Sequence, residues 1–189
     1  PFAVMAFAPQ RLELTAAGAA VAVAPPAGLC LSEDGLRLTP DAAMVMLRRC
    51  GDADRLTRTV LVGDEPLAER GGGGAALDAM AAALREPEGW RAVGLGGSAL
   101  DVLAIRREAD ALYVVVQDRE AHRSASPYGR RCRAFTELGG RLAIVTVGTG
   151  PGGEADTELL LGEAAAMLAA LRAANAPVRA RAPVFGAPP

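Results

Sequence analysis

Apolar and polar positions alternate through the first third of the chain, which predicts short strands at Phe2 to Phe7, Arg11 to Leu14 and Val21 to Ala24. Pro25 and Pro26 close the third of these. Ser32 to Gly35 reads as a turn before a further apolar stretch, Leu36 to Thr39, and Pro40-Asp41 resets the chain before Met44 to Cys50. Thr57 to Val62 is β-branched and stops at Gly63-Asp64, which predicts another strand.

The period then changes. After the flexible-looking run Gly71 to Gly74, Leu77, Met80, Ala81 and Leu84 recur at helical spacing, so a helix is expected over Ala75 to Arg85, ended by Pro87. Strands resume after Trp90, which is read as an apolar anchor between sheet and helix. Asp101 to Arg106 and Leu112 to Gln117 are joined by Glu108-Ala109-Asp110, and Arg133 to Leu138 meets Arg141 to Val147 across Gly139-Gly140. Two glycines between alternating apolar runs supply the positive φ angles of a two-residue hairpin. A second helix is expected from Thr157 to Ala174, N-capped by Asp156 or Thr157, with Leu160, Ala164, Met167, Leu168 and Leu171 on one stripe. Strands joined by tight turns rather than helical crossovers imply an α+β fold, a mainly antiparallel sheet with two principal helices packed on it. The expected organisation is one domain over 1–176, followed by a Pro/Ala/Arg-rich tail or arm over 177–189.

A chain of 189 residues buries roughly 70% of its unfolded surface, enough for one sizeable core. Aromatic residues make up only 4%, so that core is built from Leu, Val and Ala, with few rings for stacking on bases or sugars. The net charge of -2 lacks the basic excess that neutralises phosphates, which argues against nucleic acid as a partner. Every basic residue is Arg, which removes Schiff-base and Walker-lysine chemistry. No apolar run reaches the roughly 18 residues of a bilayer span, and Pro1 to Ala8 shows neither a basic n-region nor a small-residue cleavage site.

Candidate chemistry is sparse. Gly148-Thr-Gly-Pro-Gly-Gly153 is formally a dinucleotide-binding glycine motif between a strand and a helix. Pro151 removes one of its N–H donors, Glu154, Asp156 and Glu158 place negative charge at the pyrophosphate position, and only 36 residues follow. A glycine-rich connector is the expected reading, and no cofactor is assigned. His122 is the only histidine, so no multi-histidine metal site is possible, and Ser98 lacks the surroundings of a nucleophile elbow. Cys132 between Arg131 and Arg133 could pair with His122 as a thiol nucleophile, although a strand cysteine is commonly buried and inert. By spacing alone, Cys30 and Cys50 are either a disulfide closing a loop of about 20 residues or, with Cys132, buried free thiols. The polar stretch from Asp118 to Arg133 reads as a loop. Within it, Arg123, Tyr128, Arg130 and Arg131 are the candidate surface for a carboxylate, a phosphate or an acidic partner, unless these arginines merely pair with Asp118 and Glu120.

Three runs carry a resemblance: Pro26-Ala-Gly-Leu-Cys30-Leu, Met46-Leu-Arg-Arg-Cys50, and Cys132 to Val147 followed by a Leu-rich helix. Together they resemble a group of uncharacterised alphaproteobacterial proteins that are typically exported. The similarity covers about Pro25 to Asn175 and carries no catalytic residues. The element order is also similar to that of the PsbP/Mog1-like α/β/α sandwich. The resemblance implies a periplasmic or otherwise extracytoplasmic location, with cytoplasmic as the alternative, and favours the Cys30 to Cys50 disulfide. The resulting expectation is a non-enzymatic accessory or interaction domain that docks on a larger protein assembly. A small thiol enzyme using Cys132 and a small-ligand carrier are the alternatives, and the oligomeric state is left open.

Overall fold

Strand pairing follows the hairpins that the sequence marks. The computed structural model describes residues 2–8, 11–16, 19–51, 55–67, 71–92, 100–119, 129–150, 153 and 155–176. In chain order they form β1 (Phe2–Ala8), β2 (Arg11–Ala16), β3 (Ala19–Val23), β4 (Leu29–Leu38), β5 (Ala42–Arg49), β6 (Leu56–Pro66), α1 (Gly73–Ala83), α2 (Pro87–Ala92), β7 (Leu100–Arg107), β8 (Ala111–Asp118), β9 (Arg130–Leu138), β10 (Arg141–Thr149) and α3 (Thr157–Asn175). The 177–189 tail lies outside the described residues.

The fold is α+β. Two antiparallel meanders, β4-β5-β6 and β7-β8-β9-β10, join along a β6/β10 seam into one sheet of order β4-β5-β6-β10-β9-β8-β7. β1, β2 and β3 make a separate three-stranded antiparallel sheet. Gly139 and Gly140 turn the β9–β10 hairpin with φ of 57° and 78°, placing Arg141 opposite Leu138 as a two-residue turn demands.

Alternation sends each strand's odd and even positions to different layers. On one face Ala111, Tyr113, Val115, Cys132, Ala134, Val145, Val147, Val60 and Val62 form a buried cluster with Leu160, Leu161, Ala164, Met167, Leu168 and Leu171 of α3. Leu12, Leu14, Val21 and Val23 of the small sheet join the same cluster beside Leu31, Val45 and Leu47. Asn175, the last residue of α3, fixes the small sheet by accepting the Ala22 N–H at 2.8 Å and donating to the Ala22 carbonyl at 2.7 Å. On the other face Leu112, Val114, Val116 and Phe135 pack against Leu77 and Leu84, with Met80, Ala81 and Trp90 at the margin. Each such burial stabilises the fold by about 1.5–3 kcal/mol before entropy is subtracted.

Three local features depart from the sequence reading. Ser32 to Gly35 is no turn between strands but an interruption inside β4, where the register shifts between Leu31 and Leu36. Gly35 is required there, because a Cβ would collide with Met46 and Ser32. Pro87 does more than end α1: it opens α2, since a proline lacking its N–H fits the first turn of a helix. The run Gly71 to Gly74 enters α1 rather than preceding it, and its helix starts at Gly73. The Gly73 N–H donates to Glu137 Oε2 at 2.8 Å, so close that a side chain at 73 would meet Glu137 itself.

Both edges of the large sheet are irregular. β4 carries the Ser32–Gly35 interruption, and β7 carries a bulge at Leu103 between its Val102 and Ala104 pairs. Such kinks hinder edge-to-edge pairing with another chain. No helix among the described residues is long and apolar enough to cross a membrane.

Candidate functional site

A groove of about 730 Å³ opens where α3 stops covering the large sheet. One wall is the turn Pro26 to Leu29 together with Arg49 and Cys50 at the end of β5; the other is α3. Leu159, Gly162, Glu163 and Ala166 fall at the i, i+3, i+4, i+7 positions of one helix face, so a single stripe of α3 lines the opening. Gly162 leaves the space beside it empty, whereas Leu159 projects with 49% of its surface exposed. The disulfide between Cys30 and Cys50, with Cα atoms 5.3 Å apart, ties the first wall together.

The floor is charged. Arg58 is in phase with Val60 and Val62 on β6 and so points towards the α3 layer, where its side chain is 1% exposed. Burying a guanidinium is tolerable only with a partner. Glu163 supplies it: Arg58 Nε donates to Glu163 Oε2 at 3.0 Å and Nη2 lies 2.9 Å from the same oxygen, while Nη1 donates to the Leu56 carbonyl at 3.2 Å. At the rim Glu158 pairs with Arg106 of β7 at 3.4 Å. The described lining thus offers an apolar lip over neutralised charge, with its cysteine tied in a disulfide.

Sequence reasoning passed over this site, yet one signal was present. Thr57-Arg58-Thr59-Val60 places an arginine at an inward position of a strand, and an inward charge needs a partner.

Of the sequence candidates, Cys30 and Cys50 are brought together in the first wall of the groove. Arg123, Tyr128 and His122 lie outside the described residues, as does Ser98. Arg130 and Arg131 belong to β9 rather than to a loop, because the β8 and β9 ladders extend to Gln117↔Arg130 and Val116↔Arg131. Arg130 Nε donates to Gln117 Oε1 at 3.0 Å and Nη1 to the Ala155 carbonyl at 2.7 Å, which holds the start of β9 against the approach to α3. Arg131 is 5% exposed, opposite Gly148 of β10. Among the glycines of the 148–153 motif, Gly148 is a buried strand residue and Gly153 closes a turn by donating its N–H to the Gly150 carbonyl at 2.9 Å. Thr149 Oγ1 donates to the Gly153 carbonyl at 2.8 Å, and a Cβ at Gly153 would collide with Thr149. Gly153 thus serves close packing, whereas a side chain at Gly150 would meet no neighbour. Trp90 is in α2 and donates its Nε1–H to the Leu84 carbonyl at 3.0 Å, closing the α1–α2 corner.

Cys132 lies in the core with no exposed surface. Burial pushes its thiol up to about 12, only partly opposed by the nearby charge of Arg106 and a backbone hydrogen bond at Val114. A nucleophilic thiol needs the opposite shift, so this position gives the thiol-enzyme reading no support. Thiol counting after denaturation is expected to find one free thiol without reductant and three with it. In the folded protein at neutral pH, Cys132 is expected to resist iodoacetamide. Rapid native alkylation would contradict its burial.

A second polar cluster joins α3 to the β7–β8 turn. Arg172 pairs with Asp110 at 3.1 Å and donates to Thr136 Oγ1, also at 3.1 Å, while Thr136 donates to the Asp110 carbonyl at 2.8 Å. Its groups satisfy one another, as structural ties do. Among the described residues no cluster of three or more His, Cys, Asp or Glu side chains is arranged to hold a metal ion. Comparison of the chain with family models, with curated proteins and with solved structures found no match.

Proposed function

We propose that this chain is a non-enzymatic accessory or interaction domain that docks onto a larger protein assembly outside the cytoplasm, with the groove beside α3 as its contact surface. The observation that carries this reading is the groove itself: an exposed Leu159 beside an empty Gly162 position, over a floor whose charges are already paired. An apolar anchor site rimmed by polar groups is the usual anatomy of a contact surface. The space between sheet and α3 is filled by Leu160, Ala164, Met167, Leu168 and Leu171, which favours a surface contact over an enclosed ligand. The Cys30–Cys50 disulfide supports an oxidising compartment. Helices on both faces of an antiparallel sheet are compatible with a PsbP/Mog1-like sandwich, which we keep as the topological reading.

The test is positional crosslinking in the full chain expressed in its native compartment. A photoreactive side chain at Leu159 is expected to capture one protein partner, and the same probe at Ala169, exposed further along α3, is not. Leu159→Glu is expected to reduce co-purification of that partner by about tenfold or more, the loss of one anchor residue, with an unchanged melting temperature. Equal capture at both positions would overturn the proposal.

A further inference from the structure

The wall of the groove that carries the disulfide lies at an edge of the large sheet. β4 is an edge strand, and its interruption isolates Leu29–Leu31 from the segment that follows. Three residue pairs hold that short piece: Leu29 with Arg49, Cys30 with Arg48 and Leu31 with Leu47. The turn before it adds the Leu29 N–H donating to the Pro26 carbonyl at 3.1 Å and the Cys50 N–H donating to the Gly28 carbonyl at 3.0 Å. Short edge pieces with few cross-strand bonds open locally long before a sheet unfolds. The disulfide holds this one shut.

Strand alternation also turns Cys30 away from the groove that Cys50 lines. Leu31 and Leu47 face the α3 layer, and Leu29 and Arg49, in phase with them, line the groove. Cys30 and Arg48 therefore face the other side of the sheet. Cys50 is exposed and Cys30 half-buried, so the residue at the groove end of the bond faces solvent.

We propose that the Cys30–Cys50 disulfide is a redox-operated clasp: a dithiol reductant opens it, and Gly28–Leu31 then parts from Arg48–Cys50 while the rest of the sheet stays folded. One thiolate of the reductant attacks the sulfur of Cys50, the more exposed residue of the two, the S–S bond breaks, and Cys30 leaves as a thiolate whose cross-strand neighbour is the Arg48 cation. The second reductant thiol then attacks its partner sulfur in the mixed disulfide and releases Cys50. The reductant ends as an intramolecular disulfide. Two electrons pass to the protein, and Cys30 and Cys50 take up the two protons that the reductant gives up. What the clasp controls, access along the groove wall, rests on the docking reading; its opening does not.

Hydrogen exchange read by mass spectrometry, on the whole chain before and after a small dithiol and on the Cys30→Ser/Cys50→Ser double variant, tests this. Amides of 28–31 and 48–50 are expected to exchange about tenfold faster or more in both the reduced protein and the double variant, with β8, β9 and β10 unchanged. Unchanged exchange at the wall, an equal loss of protection across the whole sheet, or a bond that yields to the dithiol only on global unfolding would each overturn it. Failure of the docking reading shows separately: a Leu159 probe that captures nothing in either state while wall exchange still rises supports the clasp and removes the partner.

Discussion

Urea denaturation of a Glu163→Ala variant is expected to show a loss of about 3 kcal/mol in folding stability, a large share of what a domain of this size has. Glu163 is 28% exposed and would by itself count as a surface residue, but the Arg58 it pairs with is 1% exposed. Removing the carboxylate takes from a guanidinium buried under α3 the acceptor of its Nε and Nη2 contacts. The reverse change, Arg58→Met, leaves the carboxylate able to turn to water and so should cost less. The double change Arg58→Met/Glu163→Leu should recover most of the loss, because an apolar pair of similar volume incurs no charge burial. A Glu163→Ala variant within about 0.5 kcal/mol of the parent, the range of an ordinary surface substitution, would mean that the burial of Arg58 does not depend on this carboxylate.

Phe135→Ala is expected to cost about 3–5 kcal/mol, the range for deleting a buried ring. The ring is 1% exposed in the cluster where Leu77 of α1 and Leu84 just after it meet Leu112 and Val114 of β8. The loss should therefore be read twice: in a lower denaturation midpoint and in faster amide exchange over α1. A cost below about 1 kcal/mol with α1 still protected would show that the helix docks by other contacts than this ring. Cys132→Ala, three residues away on the same strand but facing α3, removes one sulfur and should perturb α1 little.

Local patterns carried much of the fold. The α3 stripe of Leu160, Ala164, Met167, Leu168 and Leu171 is buried as its helical spacing implies, and the Gly139-Gly140 hairpin has both positive φ angles. These are effects of neighbours within a few positions. The β6/β10 pairing, in contrast, joins segments far apart in sequence, and no local signal names β10 as the partner of β6. The interruption in β4 mimics a turn because Ser, Glu, Asp and Gly are turn formers, and only the shifted register against β5 reveals a strand. The groove was illegible for the same reason: Pro26–Leu29, Arg58 and the Leu159–Ala166 stripe come together only when α3 lies across the sheet. Where the sequence did point, to the arginines before Cys132, charge suggested a loop although β9 continues through Arg130 and Arg131. Their side chains extend along a ladder whose backbone bonds do not depend on side-chain polarity.

The β6/β10 seam also sets a schedule for synthesis. β6 ends at Pro66 and its neighbour begins at Arg141, about 75 residues later. At roughly 5–20 residues per second a ribosome needs several seconds to supply that strand. Throughout that interval the Leu56–Val62 edge has β5 on one side and no β10 on the other, so a nascent chain carries an open strand edge before it carries the strand that covers it.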